Sequence, residues 1–404
     1  MLKGRHVVLG VTGGIAAYKC AELTRELIRR GAEVKVIMTE SAREFMTPLT
    51  LQTLSGNPVY TELFTLIREQ DIAHIALAEF AELMIVAPAT ANVIGKAAAG
   101  IADDLLTTVL MAMKAPVLFC PAMNTQMYGN PALQENLKKL QAWGYHVLPP
   151  ASGPLACKAE GQGRLPEVTA IVEAAVSVLT LKDLAGEHVL VTAGPTREPF
   201  DPVRFITNYS SGKMGYAVAL QAQRRGARVT LVSGPTSLPP PDGVEIVNVG
   251  SALEMRDAVL SRLAGVTVVI KAAAVADYRP AALREQKIKK KGGSLTLELE
   301  RNPDIIQEIG RKEGRRIIVG FAMESENLLE NARSKMVEKN MDLIVANDLR
   351  EEGAGFQCDT NVIKILDRKG NIEELPLMDK AEAAGRILDR VRALLKEKKR
   401  GRRG

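Results

Sequence analysis

The chain has 404 residues, 46% of them apolar and 25% charged, ordinary for a soluble globular protein and enough for two cores at about 150 residues per domain. Aromatics make up only 4%, which argues against the stacking platform that binds single-stranded nucleic acid. The net charge of +6 sits almost wholly in the tail Lys396–Gly404, six basic residues and one acid; we read it as a frayed, solvated end, with a contact to nucleic acid or a membrane surface as the alternative.

The chain begins Gly4-Arg5-His6, an apolar run to Val11, then Thr12-Gly13-Gly14. This reads as a buried parallel strand and a glycine turn before the helix 16–30, whose N-terminus favours a phosphate. It is not G-x-G-x-x-G, so the dinucleotide fingerprint is absent. The opening superficially resembles a secretory signal, but Gly13-Gly14 interrupt it, and no uncharged apolar run approaches ~18 residues, so no membrane span is expected. A second strand, 33–38, ends at Thr39-Glu40-Ser41, a third, 84–86, at Ala87-Pro88-Ala89-Thr90-Ala91-Asn92, and a fourth, 117–120, at Pro121-Ala122-Met123-Asn124. Small and polar residues at several parallel strand ends point to one shared crevice. His74 lies among apolar neighbours and by itself reads as structural, as do His6 and His188 at matching places. Residues 149–166 carry Gly and Pro at both ends and read as a long mobile lid holding Cys157 beside Lys158. That cysteine reads equally as an inert surface thiol or as one with a lowered pKa. Cys20, Cys120, Cys157 and Cys358 form no C-x-x-C pair, so neither zinc nor a disulfide framework is expected, and a reducing cytoplasm fits.

Taken in order, the Gly13-Gly14 turn, His74, Ala87 to Asn92, Gly100-Ile101-Ala102-Asp103-Asp104, Pro121-Ala122-Met123-Asn124 to Met127 and the Cys157 segment make residues 1–180 resemble the homo-oligomeric flavin-containing cysteine decarboxylases. The resemblance implies a flavodoxin-like domain over 1–181 that binds FMN through Gly13, Gly14, Thr39, Ala89 and Asn92. It implies decarboxylation of a C-terminal cysteine through transient oxidation of its thiol by the flavin. His74 would act as base or carboxylate orienter, Asn124 would bind the carboxylate, and Cys157 would donate the final proton. Two departures stand out: Tyr128 where the family usually has Trp, and Lys158-Ala159 in place of a Gly–acid pair.

The second half repeats the opening plan. Gly186-Glu187-His188 leads an apolar run into Gly194-Pro195-Thr196, so the fold class expected is α/β, with two Rossmann-like three-layer domains and mainly parallel sheets. The run Asn208-Tyr209-Ser210-Ser211-Gly212-Lys213-Met214-Gly215 suggests a phosphate cradle but not a P-loop. The strand 266–272 leads to Asp277, readable as a ribose or metal contact or as a turn cap. Lys287-Ile288-Lys289-Lys290-Lys291 reads as a solvated basic loop or a triphosphate clamp. Pro303-Asp304-Ile305-Ile306 opens a helix, and Lys335 and Lys339 share a helix face at i,i+4.

These pieces, with Ala272 to Pro280 and Asn347-Asp348, make residues 185–395 resemble the bacterial phosphopantothenate–cysteine ligases. A decarboxylase half followed by such a ligase half is the arrangement of the bifunctional coenzyme A biosynthesis enzymes. The resemblance implies a ligase domain over 182–395, followed by the basic tail 396–404. CTP would activate 4'-phosphopantothenate as an acyl-cytidylate, which cysteine then attacks; the decarboxylase half would yield 4'-phosphopantetheine. Asn208 and Lys287 would serve the acyl transfer. Ala273, Asp277, Lys287, Pro303, Asp304, Ile305, Ile306, Phe321, Lys335 and Lys339 would contact CTP. Mg2+ is expected with the triphosphate, its ligands unassigned. The resemblance also implies a homo-oligomer, decarboxylase trimers and ligase dimers making a dodecamer. The expected partners are these small molecules, with neither nucleic acid nor membrane. The rivals are a nicotinamide oxidoreductase, against which the missing G-x-G-x-x-G counts, and a nucleotide- or nucleic-acid-binding regulator with a basic tail.

Overall fold

The computed structural model describes residues 2–64, 73–154, 160–289, 295–324, 328–348, 355 and 357–400. It divides into two compact units, Met1–Thr180 and Leu181–Gly404. In the first, β1 (His6–Val11), β2 (Glu33–Met38), β3 (Val59–Tyr60), β4 (Leu83–Ala89), β5 (Val117–Pro121) and β6 (His146–Val147) form one sheet, in the order β3-β2-β1-β4-β5-β6. Every pair is parallel. The two-residue β3 only extends the edge, and the other five strands follow the flavodoxin-like order.

The strands read as continuous apolar runs because both faces are covered. Val7, Leu9 and Val11 face one layer of side chains and Val8 the other. The connections are α1 (Lys19–Arg29), α2 (Glu40–Arg43), α3 (Pro48–Ser55), α4 (Ala73–Phe80), α5 (Ala91–Ala99), α6 (Leu105–Ala112), α7 (Thr125–Tyr128), α8 (Pro131–Ala142) and α9 (Val168–Leu179). Leu23, Leu27, Leu51 and Ile171 place α1, α3 and α9 on the first face. Leu77, Ile94, Leu106 and Leu137 place α4, α5, α6 and α8 on the second. Within the stretch 149–166, read from the sequence as a long mobile lid, the described residues include an antiparallel hairpin of β7 (Ala151–Pro154) and β8 (Glu160–Arg164). Backbone pairing sustains it without apolar alternation, and the Met123 N–H anchors it by donating to the Gly163 carbonyl at 2.9 Å.

The second unit contains β9 (His188–Ala193), β10 (Arg197–Pro199), β11 (Phe205–Thr207), β12 (Arg228–Ser233), β13 (Glu245–Asn248), β14 (Val268–Lys271), β15 (Tyr278–Pro280), β16 (Leu299–Arg301), β17 (Ile317–Glu324), β18 (Leu343–Asp348), β19 (Thr360–Asp367) and β20 (Ile372–Asp379). Its main sheet runs β13-β12-β9-β14-β17-β18-β19-β20. The pairs are parallel through β18 and antiparallel from β18 to β20. The helices are α10 (Lys213–Arg224), α11 (Ala252–Leu260), α12 (Ile305–Arg311), α13 (Leu328–Glu338) and α14 (Lys380–Arg400). Val218 and Ala222 of α10 and Ile387 and Leu388 of α14 cover one face. Met255 of α11, Ile305 and Ile309 of α12 and Ala332 and Met336 of α13 cover the other.

The basic tail departs from the expected frayed end. Helix α14 continues to Arg400. Lys398 donates to Asp342 at 3.2 Å and Lys399 to the buried Glu187 at 2.6 Å. Helical geometry and carboxylate partners therefore absorb charge that the composition alone assigns to solvent; residues 401–404 lie outside the described residues.

In both sheets the chain reverses its direction of growth beside the first strand, between β1 and β4 and between β9 and β14. Open parallel sheets bind ligands beyond the carboxyl ends of the strands at such a point.

Candidate active sites

In the first unit a cavity of about 580 Å³ opens at that point, within the usual size of a small-molecule or cofactor site. Its floor is the Gly13-Gly14 turn and Thr90-Ala91, and its far wall is Ala122-Met123-Asn124, Met127 and the hairpin residues Pro154, Gly163 and Arg164. The Thr12 hydroxyl pins the floor by donating to the Pro88 carbonyl at 2.6 Å, and Thr90 caps α5. Gly13 is required sterically: an added Cβ would lie 2.9 Å from the Ser41 carbonyl carbon and closer still to Ser41 Cβ. Ile15, Tyr18 and Met127 are large apolar side chains left exposed beside the cavity. Lys19, Asn124 and Arg164 supply polar groups. Apolar walls with a few convergent cations and amides suit a planar ring system that carries an anionic arm.

The expected residues of this unit are distributed unevenly. Gly13, Gly14 and Asn124 meet in the cavity, where the Asn124 carboxamide oxygen accepts from the Gln126 N–H at 2.8 Å. Thr39, at the end of β2, caps α2 by accepting from the Ala42 N–H at 3.3 Å. Ala89 is buried within β4, and Asn92 is exposed on α5. His74 is half-buried in the first turn of α4. None of these four lines the cavity, and Cys157 lies outside the described residues. Thr12, Tyr18, Met123 and Arg164 carried no assignment from the sequence, although their positions beside the glycine turn and the strand end were the available signal. Cys20 is a core thiol: burial pushes its pKa up to about 12, and it donates to the Ala87 carbonyl.

Among the described residues of the second unit, cavities of about 290 and 430 Å³ lie at its switch point. The first is bounded by Ser210 to Gly215, Lys271 to Val275, Phe321, Lys335, Asn347 and Lys380. The second is bounded by Lys271, Val275 to Tyr278, Arg301 to Ile305 and Lys339. The Asn208 amide donates to the Ala274 carbonyl at 2.8 Å, fixing its segment against the end of β14. Asp304 caps α12 and pairs with Lys339 at 2.6 Å. Desolvation works to raise the Asp304 carboxyl, but the Lys339 hydrogen bond and the Gln307 N–H outweigh it and hold the group below its ordinary range. Desolvation lowers Lys380, with the Lys213 charge acting in the same direction; its ammonium donates to the carbonyls of Gly355, at 2.9 Å, and Cys358.

Ala273, Asp277, Phe321 and Lys335 line the smaller cavity, and Asp277, Pro303, Asp304, Ile305 and Lys339 line the larger. Ile306 is buried in the core beneath α12. Lys287 is exposed and lines neither. Its segment is anchored by the buried Asp201, which accepts from the Ile288 N–H at 3.2 Å and from Arg204; Arg204 in turn donates to the Ile288 carbonyl at 3.0 Å. Lys290 to Gly293 lie outside the described residues. Lys271 received no assignment from the sequence, because it closes an apolar run and reads as the end of a core strand. Among the described residues, no group of three or more His, Cys, Asp or Glu is placed to hold a metal ion.

Residues 1–180 match the family described as Flavoprotein, and residues 184–395 match that described as DNA/pantothenate metabolism flavoprotein C-terminal domain. The chain is 51% identical to the coenzyme A biosynthesis bifunctional protein CoaBC of Bacillus subtilis, over 98% of this chain and 99% of that protein. It is 47% identical to the protein of the same name from Escherichia coli K12, over 99% of each. A solved structure of the FMN-dependent cysteine decarboxylase SpaF is 30% identical, covering 43% of this chain and 99% of its own, with a TM-score of 0.38.

Proposed function

The chain belongs to the family of bifunctional coenzyme A biosynthesis proteins, and from that membership we propose how its two units share the work. It is a phosphopantothenate–cysteine ligase and a phosphopantothenoylcysteine decarboxylase in one chain. The ligase product is the decarboxylase substrate. We assign the ligase to 182–395 and the decarboxylase to 1–181.

The cofactor of the first unit is FMN, a reading supported by the flavoprotein match over residues 1–180. The cavity fits it: the wall has room only for glycine at Gly13, Ile15 and Met127 offer apolar surface, and Lys19 and Arg164, which share the one carboxylate of Glu167 at 3.4 and 3.5 Å, leave a net positive charge for a phosphate. Held there by Gly13, Gly14, Lys19 and Arg164, FMN would supply reversible two-electron redox chemistry at the substrate thiol, leaving the overall reaction redox-neutral. Asn124 holds the departing carboxylate, His74 orients it or accepts a proton, and Cys157 delivers the final proton to carbon. An acid or base in that role contributes ~10²–10⁴ in rate.

In the second unit the carboxylate of phosphopantothenate attacks the α-phosphorus of CTP and pyrophosphate leaves. The amine of cysteine then attacks the acyl carbon, and CMP leaves. Asn208 holds the acyl group, and Lys287 is carried on the Asp201–Arg204 anchor to the developing phosphate charge. Ala273, Asp277, Pro303 to Ile306, Phe321, Lys335 and Lys339 form the nucleotide site. Mg2+ commonly binds through one or two carboxylates plus substrate phosphates and keeps several waters. The donor set fits that mode: Asp277 is exposed at the cavities, whereas Asp304 is engaged by Lys339. Asp277 would hold the ion on the triphosphate.

The observation that carries this reading is the gathering of Asp277, Asp304, Lys335 and Lys339 at the switch point of the second sheet, with Gly13, Gly14 and Asn124 at that of the first. Nucleotide competition with pyrophosphate release as the readout tests the ligase half; equal turnover of ATP would overturn the choice of CTP. A purified chain that is colourless and does not take up FMN would overturn the decarboxylase half. Among the described residues, no helix is long and apolar enough to cross a membrane, and we place the enzyme in the cytoplasm with its substrates. A dodecamer of decarboxylase trimers and ligase dimers completes the proposal. Exposed Phe45, Leu49 and Met111 in the first unit and Val203, Tyr209 and Val337 in the second support it as surfaces for further copies, and native mass measurement checks it.

A further inference from the structure

The two cavities of the ligase unit share three wall residues, Lys271, Val275 and Asp277. Lys271 is the only cation among the described residues that lines both. It is the last residue of β14, in register with Thr192 of β9 and Gly320 of β17, at the centre of the sheet. Val268 and Ile270 pack on the α10 and α14 face and Val269 on the other. Alternation along the strand therefore sends the Lys271 side chain toward α12 and α13. The charges that act on it are those of Asp304, Lys339, Asp277 and Lys335.

A half-buried lysine at this position is costly without a partner, because its ammonium forfeits part of its hydration. Lys339 is neutralised by Asp304. Among the described residues, the Lys271 ammonium has neither a hydrogen bond nor an ion pair. Desolvation pushes its pKa below the ordinary lysine range, Asp304 and Asp277 oppose that, and Lys339 and Lys335 reinforce it. An anionic group arriving in either cavity relieves this cost, and two anions that must react with each other need a cation between them.

We propose that Lys271 contacts substrate in the ligase reaction, its ammonium bridging the phosphopantothenate carboxylate and the α-phosphate of the nucleotide where the two cavities meet. The inference rests on the ligase reading above. The carboxylate oxygen forms its bond to the α-phosphorus, the bond from that phosphorus to the bridging oxygen breaks, and the electron pair leaves on pyrophosphate. No proton moves in this step, so Lys271 acts as a charge and not as an acid. The second step, attack of the cysteine amine on the acyl carbon, does not bring two anions together and does not need this bridge.

The test uses the full FMN-loaded chain carrying Lys271→Met or Lys271→Arg. Pyrophosphate release from CTP and phosphopantothenate is measured first. Capture of cysteine by supplied phosphopantothenoyl-cytidylate is measured second. Decarboxylation of supplied phosphopantothenoylcysteine and cooperative unfolding report the state of the fold. Lys271→Met is expected to slow pyrophosphate release about 10²-fold or more, the loss typical of one charge-stabilising group, while cysteine capture keeps its rate. Lys271→Arg is expected to restore a large part of the loss. Pyrophosphate release at the unaltered rate in Lys271→Met, or equal losses in both steps, would overturn the role. If Lys271→Met does not unfold cooperatively, Lys271→Gln, which retains a polar end, carries the same two-step comparison. An unaltered chain that releases no pyrophosphate would overturn the ligase reading itself, which separates that failure from a failure of Lys271.

Discussion

Replacing Gly13 by alanine tests the cofactor cradle at one atom. The added methyl would sit 2.9 Å from the Ser41 carbonyl carbon and 3.0 Å from its oxygen, where ordinary carbon contacts are about 3.5–4.0 Å. The obstacle is backbone and a Cβ, not the free end of a flexible side chain, so either the turn or the start of α2 must move. Overpacking of this kind costs about 1–3 kcal/mol. If the strain falls on the bound form of the turn, FMN affinity drops roughly 5- to 150-fold, since 1.4 kcal/mol is a factor of ten. The assay is fluorescence titration of FMN into the stripped protein, with ligation rate as an internal control. We expect weaker FMN binding and unchanged ligation in Gly13→Ala. An unchanged FMN dissociation constant would refute the placement of the cofactor on this turn.

The two chemistries should separate by mutation. Cys157→Ser and His74→Asn are expected to stop decarboxylation of supplied phosphopantothenoylcysteine and spare ligation, and Lys287→Gln to do the reverse; loss of both activities in either class would contradict the division of labour. In the ligase unit, half-buried Asp183 binds the buried Arg225 through two bonds, of 2.7 and 2.8 Å, and Arg392 at 3.1 Å. Asp183→Ala leaves Arg225 with Asp389 and the Gly385 carbonyl and should cost about 3 kcal/mol, the lower end for a broken buried pair, read by denaturant unfolding. Desolvation works to raise the Asp183 carboxyl, but the Arg225 bond and the Arg392 charge hold it below its ordinary value. A depressed carboxylate contributes its stability in full above the unfolded-state pKa of about 3.9 and loses it as pH falls through the folded value. Unfolding below about pH 4 should therefore be less pH-dependent in Asp183→Ala than in the unaltered chain.

The central strands were legible because parallel strands covered on both faces show as unbroken apolar runs, as at Val7–Val11 and Val117–Cys120. β19 and β20 escaped notice for the opposite reason. Their sequences, TNVIKILD and IEELPLMD, mix exposed and buried positions because they extend the sheet at its antiparallel end. The hairpin of β7 and β8 was hidden by glycine and proline, whose composition says turn while the backbone pairs regardless. The tail misled because composition counts charge and ignores the carboxylates waiting at Asp342 and Glu187. At the candidate sites, the strand-end motifs marked the crevice, since such residues allow close approach of a ligand. Lys271 was not legible: it gains meaning only from lying on the central strand at the reversal of strand order, a property of topology and not of local sequence.

One chain performs both reactions in succession. The most direct measurement supplies the FMN-loaded protein with phosphopantothenate, CTP, magnesium and cysteine labelled at its carboxylate carbon. Pyrophosphate, labelled carbon dioxide and phosphopantetheine are then followed together. Labelled carbon dioxide and phosphopantetheine are expected to appear in equal amounts and to lag behind pyrophosphate. Pyrophosphate without labelled carbon dioxide, or none of the three, would contradict that succession.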